Sequence, residues 1–173
     1  IEHLYAIGAG DASSIDETLQ RQLTLVPFVA HFRATNARGE IVYGDETPYP
    51  YVSIADREYF SAQRDNARLG LFTGKPIFGR IANKWMWVFS RRINRPDGDF
   101  AGIVFALVDI DEIYRILERI QIENGSSISL RDGERGLIAR YPATAGKYFP
   151  IGETRSSQPF VEIGRASCRE RVS

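Results

Sequence analysis

The sequence predicts an α+β layer fold, an antiparallel sheet of hairpin-linked strands with helices on one side. Three observations predict it. Strand-like runs follow one another and are joined by turn chemistry, which implies antiparallel pairing. Helical periodicity occurs before, within and after that series. With 43% hydrophobic and 12% aromatic residues among 173, the chain has the apolar area to offset its conformational entropy.

Taken in order, Ile15, Leu19, Leu23 and Val26 repeat at helical spacing and predict a helix over residues 15–25. Asp11, Ser13 or Ser14 is placed to cap it, Asp16 and Glu17 suit its first turn, and Pro27 ends it or bends it. Residues 28–35 alternate as a strand, 36–39 (Asn-Ala-Arg-Gly) supply a turn, and 40–43 return. Pro48 and Pro50 make 45–50 a loop. Asp56 is placed to N-cap a short helix that reaches Arg64. Strand-like runs follow at 71–79, 84–94 and 100–109, the last two joined by the turn Arg95-Pro96-Asp97-Gly98-Asp99. An amphipathic helix over 111–120 then leaves the sheet with Ile113, Ile116, Leu117 and Ile120 on one stripe. Residues 127–130 and 136–139 flank an Asp132-Gly133 turn and open a second sheet with too few strands to close a core.

Bulk properties exclude several functions. Lys+Arg and Asp+Glu both number 22, so no net field steers the chain onto nucleic acid. Arg91-Arg92 is an isolated basic pair. The longest apolar run, Ile103 to Val108, is far shorter than the roughly 20 residues a membrane helix needs. The chain begins at Ile1 with no signal peptide, and is expected to be a fragment. Residues 162–172 look like an in-frame translation of a sequencing adapter, which assigns 162–173 to an artefactual tail. A basic amphipathic tail is the other reading of the same residues. The single cysteine, Cys168, lies there, so the remaining chain needs no disulfide or thiolate metal site. His3 and His31 are the only histidines and make an improbable metal pair. No nucleophile elbow, phosphate loop or dinucleotide fingerprint occurs, and Gly8-Ala9-Gly10 lacks its strand context. No enzyme activity, metal or cofactor is expected of this chain.

Three segments in order carry a resemblance. They are Ser53-Ile54-Ala55-Asp56-Arg57-Glu58-Tyr59-Phe60, then Trp87-Val88-Phe89-Ser90-Arg91-Arg92-Ile93, then Asp97-Gly98-Asp99-Phe100-Ala101-Gly102-Ile103-Val104. Together, over about residues 15–142, they resemble the double-Cache (tandem PAS-like) sensor domains of bacterial diguanylate cyclases and histidine kinases. The resemblance implies a PAS-like, five-stranded antiparallel sheet flanked by helices over 1–120, the membrane-distal sensor module. It implies a truncated, membrane-proximal module over 121–161. It further implies a periplasmic position between two transmembrane helices that this chain lacks, a small-molecule ligand (an acid, an amine or an amino acid), and leaves a homodimer open. The other reading is a structural or dimerisation module whose core is filled by its own residues.

Six residues are candidate ligand contacts. Arg57 offers a rigid fork of donors that matches a carboxylate; alternatively it pairs with Asp56, Glu58 or a strand carboxylate and pins its helix. Amino-acid-binding Cache sensors carry an Arg-x-Trp-Tyr pattern here and a later Asp. By that resemblance Arg57 and Asp109 match the charged positions, while Tyr59 and Phe60 replace the Trp and Tyr. Trp85 and Trp87 share one face of their strand with Phe89, and Met86, Val88 and Ser90 take the other. One of those faces is expected to line a pocket beneath the helices. Core packing is the competing role for Tyr59, Phe60 and the tryptophans. Asp109, ending an apolar strand, needs a cationic partner, either a ligand ammonium or an arginine.

Overall fold

A computed structural model of the chain describes residues 12–45, 47, 49–142, 151, 152 and 154. Helix α1 (Ala12–Leu25) precedes strands β1 (His31–Thr35) and β2 (Ile41–Gly44). Helix α2 (Glu58–Asp65) leads into β3 (Phe72–Thr73), β4 (Ile77–Phe78), β5 (Trp85–Asn94) and β6 (Phe100–Asp109). Helix α3 (Ile110–Glu118) is followed by β7 (Ile128–Arg131) and β8 (Leu137–Tyr141). The larger sheet runs β2-β1-β6-β5-β3, with β4 also on β5, and every pairing is antiparallel. The β7–β8 hairpin forms a second, two-stranded sheet.

The expected α+β architecture is present, with local differences that have physical causes. The single run expected at 71–79 is split, because the segment Gly74-Lys75-Pro76 interrupts it and proline has no amide to give the ladder. Both halves pair with β5, which adds a sixth strand to the expected five without adding a new position in the sheet order. The helices are not confined to one side. Met86, Val88, Ile103, Phe105 and Leu107 face α2, whereas Val108, Trp87 and Phe89 face α3 and β8, and Ala34 and Val104 pack with Leu19 of α1. Strand alternation forces this division, since both faces of β5 and β6 are apolar and each needs a cover. Complete burial of a side chain such as Met86, Val88 or Ile103 is worth roughly 1.5–3 kcal/mol.

Helix ends also differ. Ser13 and Ser14 lie inside α1, and Asp11 lies outside the described residues. Because α1 starts early, Asp16 falls beyond its first turn and instead accepts the Gly44 amide at 2.8 Å, tying α1 to β2. The residue capping α2 is Arg57 rather than Asp56, with no side-chain cap bond. Asp56 is drawn away by Arg80, which forms a two-pronged pair with it at 3.0 and 2.6 Å. The β5–β6 hairpin closes as expected through Arg95 donating to the Asp99 carbonyl, with Gly98 at φ 91°. Deeper in β6, Gly102 adopts φ 149°, and a Cβ there would stand 2.0 Å from the Thr35 carbonyl oxygen. Only glycine lets β6 approach β1 that closely.

Candidate ligand-binding site

A cleft opens between α2, the β4–β5 connection and the sheet face formed by β1, β2 and β6. Its non-atom space is ≈ 380 Å³, open mouth included, and its walls include Arg33, Ile54, Arg57, Tyr59, Arg80 and Phe105. The enclosed part of that space amounts to ≈ 30 Å³, well below the roughly 300 Å³ of a preformed small-molecule pocket, so the cleft is shallow and open to solvent.

Each cleft residue is held by a different element. Arg33 comes from β1, is 2% exposed, and donates through Nε to the Asp45 carbonyl at 3.2 Å. Asp45 is itself paired with His31 through its side chain. Arg57 stands at the start of α2 and donates to the Phe78 carbonyl at 3.3 Å. Its Nε is shielded from solvent and has no hydrogen-bond partner among the described residues. Nor does any described carboxylate form an ion pair with Arg57, so it does not pin its helix to Asp56 or Glu58. Arg80 closes the rim, bound to Asp56 and to the Ser53 carbonyl at 2.7 Å. This contact holds the Asp56 carboxyl below the usual carboxylate range.

Tyr59 is 5% exposed and its ring packs against Phe105 at 5.6 Å between centroids. Burial pushes its phenol from 10.0 up to about 12, although the Arg57, Arg80 and Arg33 guanidiniums pull the other way. The phenol therefore stays a neutral hydroxyl at physiological pH, surrounded by positive charge.

Behind Tyr59, a buried polar lattice fixes α2 on the sheet. The Ser90 hydroxyl donates to the Tyr59 carbonyl at 2.9 Å. Gln63, fully buried, donates to the Gly70 and Ser90 carbonyls at 2.8 Å each and accepts the Arg92 amide at 3.0 Å. Arg92 returns to the Gln63 and Arg64 carbonyls and lies 4.7 Å over the Phe100 ring. Ser90, not Arg91, reaches the α2 side of β5.

The six candidates do not gather in one place. Arg57 and Tyr59 line the cleft. Phe60 turns into the core instead, 1% exposed and edge-on to Phe100 at 5.6 Å. Trp85 is 39% exposed at the sheet margin, edge-on to Phe78. Trp87 is on the far side of the sheet, its ring 4.6 Å from Phe89 and its indole donating to the Gly74 carbonyl at 2.9 Å. Asp109 pairs with Lys84 and accepts the Asp111 amide at 2.9 Å as the N-cap of α3. Its burial raises the carboxyl, but the Lys84 and Asp111 contacts outweigh that and leave it below the usual range. No hydrogen bond or ion pair joins Arg57, Trp85 and Asp109 to one another. Among the described residues no cluster suited to a metal occurs, and no helix is long and apolar enough to cross a membrane.

The sequence reading missed Arg33 and Arg80. Arg33 has a local signal, since a charged side chain flanked by Phe32 and Ala34 in a buried strand must meet something polar. Arg80 has none, because its place at the cleft depends on how the β4–β5 connection folds back.

No protein-family model and no curated protein sequence matches the chain. Solved structures do. The extracellular domain of the "putative histidine kinase rpHK1S-Z16" superposes with TM-score 0.74 at 24% identity, over 88% of this chain and 61% of that one. The ligand-binding domain of the Campylobacter jejuni chemoreceptor Tlp3, in complex with 4-methylisoleucine, gives TM-score 0.59 at 10% identity, over 79% and 54%. The corresponding domain of the Pseudomonas aeruginosa PAO1 amino acid chemoreceptor PctC, in complex with GABA, gives 0.56 at 14%, over 79% and 60%. The chain thus spans less than two thirds of each of these neighbours. Its fold is that of the Cache-like, ligand-binding sensor domains of bacterial receptors.

Proposed function

We propose that this chain is the extracytoplasmic small-molecule sensor of a bacterial transmembrane receptor, a histidine kinase, a chemoreceptor or a diguanylate cyclase. The observation that carries the proposal is the cleft between α2 and the sheet, lined by Arg57 and Tyr59 and by no Asp or Glu among the described residues. Neighbours of the same fold hold amino acids and GABA, which supports a small organic ligand. Residues 1–120 form the membrane-distal module in this reading, and 121–161, which include β7 and β8, open a proximal one. A ligand alters signalling only by binding one receptor state better than another. The sensor fragment itself carries no catalysis; output lies in the rest of the receptor, and a homodimer would suit it.

The test is a thermal-shift screen of small carboxylates, amines and amino acids on the purified chain. A ligand at about 100 times its Kd adds about 2.7 kcal/mol of stability, so a binder raises the Tm visibly. Arg57→Ala is expected to remove that shift. A ligand whose shift survives Arg57→Ala, with the variant still folded, removes Arg57 as the anchor.

A further inference from the structure

We infer that the cleft takes a short aliphatic carboxylate that bears no ammonium group. The inference rests on the sensor reading above and sharpens its ligand class. One end of the cleft is cationic and donor-rich, with the Arg57 guanidinium beside the neutral Tyr59 hydroxyl, a pair that suits an oxyanion. Apart from Arg33 and Arg80, which bond to the Asp45 carbonyl and to Asp56, the remaining wall is largely hydrocarbon, including Ile41, Val52, Ile54, Ile77, Ile81 and Leu107. A carboxylate head on an aliphatic body fits both halves.

An ammonium group fits neither. No Asp or Glu lines the cleft among the described residues. Asp56, the nearest carboxylate in sequence, gives both oxygens to Arg80. Asp109, the residue that resemblance assigns to a ligand amine, is engaged by Lys84 and by the Asp111 amide. The rim carbonyls of Phe78 and Ser53 each accept a guanidinium bond, from Arg57 and Arg80, so a ligand ammonium that used their second lone pair would sit against that positive charge. A zwitterion would therefore bring its ammonium next to guanidiniums, or bury it unpaired against hydrocarbon, and either is costly.

Matched ligands test this directly on the unmodified chain. Titration calorimetry with isovalerate against L-valine, and isocaproate against L-leucine, varies only the amino group, and isoamylamine varies the carboxylate. The acids are expected to bind, each amino acid at least about tenfold more weakly than its acid, and the amine not at all. Arg57→Ala and Tyr59→Phe, both checked for native circular dichroism, place the binding in the cleft. An amino acid that binds as tightly as its matched acid, yet is lost in Arg57→Ala, overturns the ligand class and leaves the sensor site standing. Binding unaffected by either variant, or no binding by any of the five compounds, overturns the site and the ligand class together.

Discussion

Substituting Tyr59 by Phe tests the electrostatics of the cleft without any ligand. The phenol is neutral in the folded protein until about pH 12, against 10.0 for its ordinary value. Below pH 10 both folded and unfolded chains keep the proton, and stability does not depend on it. Between 10 and 12 the unfolded chain releases it while the folded protein retains it. The folded state then binds more protons, so unfolding becomes easier as pH rises. At about 1.4 kcal/mol per pH unit, the two-unit separation amounts to about 3 kcal/mol lost across that window. Tyr59→Phe keeps the ring on Phe105 and deletes the ionisation. Its stability is expected to match the parent near neutral pH and to exceed it increasingly above pH 10. Urea denaturation of both proteins at a series of alkaline pH values measures the difference, which cancels the other tyrosines. Parallel stability curves for the two proteins up to about pH 12 would refute the buried, neutral phenol.

Three further substitutions separate the parts of the molecule. Gln63→Met keeps the volume but leaves two carbonyls and the Arg92 amide without their partner, and is expected to cost about 2–4 kcal/mol in denaturant melts. Gly102→Ala drives a methyl into the Thr35 carbonyl at a φ that L side chains avoid, and is expected to lower Tm by several degrees or prevent soluble expression. Trp87→Ala is expected to destabilise by about 3–5 kcal/mol in chemical denaturation. Trp85→Ala, at the sheet margin, is expected to change stability by less than about 1 kcal/mol and, in calorimetry, to leave ligand affinity unchanged.

How far the sequence could be read depended on the range of the interactions involved. β6 was legible to the residue at both ends, because a turn precedes it and its apolar run stops at Asp109. The α2 segment was legible as a helix but not in its cap, since Asp56 is claimed by Arg80, 24 residues away. The two-residue period correctly separated Trp85, Trp87 and Phe89 from Met86, Val88 and Ser90. It could not say which set faces α2, because both sets are apolar and the deciding partners come from α3 and β8. Arg57 and Tyr59 were accessible as cleft candidates because they lie in one short motif. Asp109 was assigned by position alone, and position did not reveal Lys84 across the hairpin.

The junction at Asp109 has a mechanical consequence. β6 ends at Asp109 and α3 begins at Ile110, with the same carboxylate capping the helix and held by Lys84 from the start of the neighbouring strand. No slack residue separates the strand that floors the cleft from the helix on the opposite face. α3 spans nine residues, about 13 Å at a rise of about 1.5 Å per residue, so a tilt of about 5° at its base displaces its tip by about 1 Å. The tip carries Leu117, which packs in the same cluster as Ala139 of β8. Strand, cap and helix thus form one continuous unit, so a shift of β6 at the cleft floor is passed without a loop to the packing of α3 on β8.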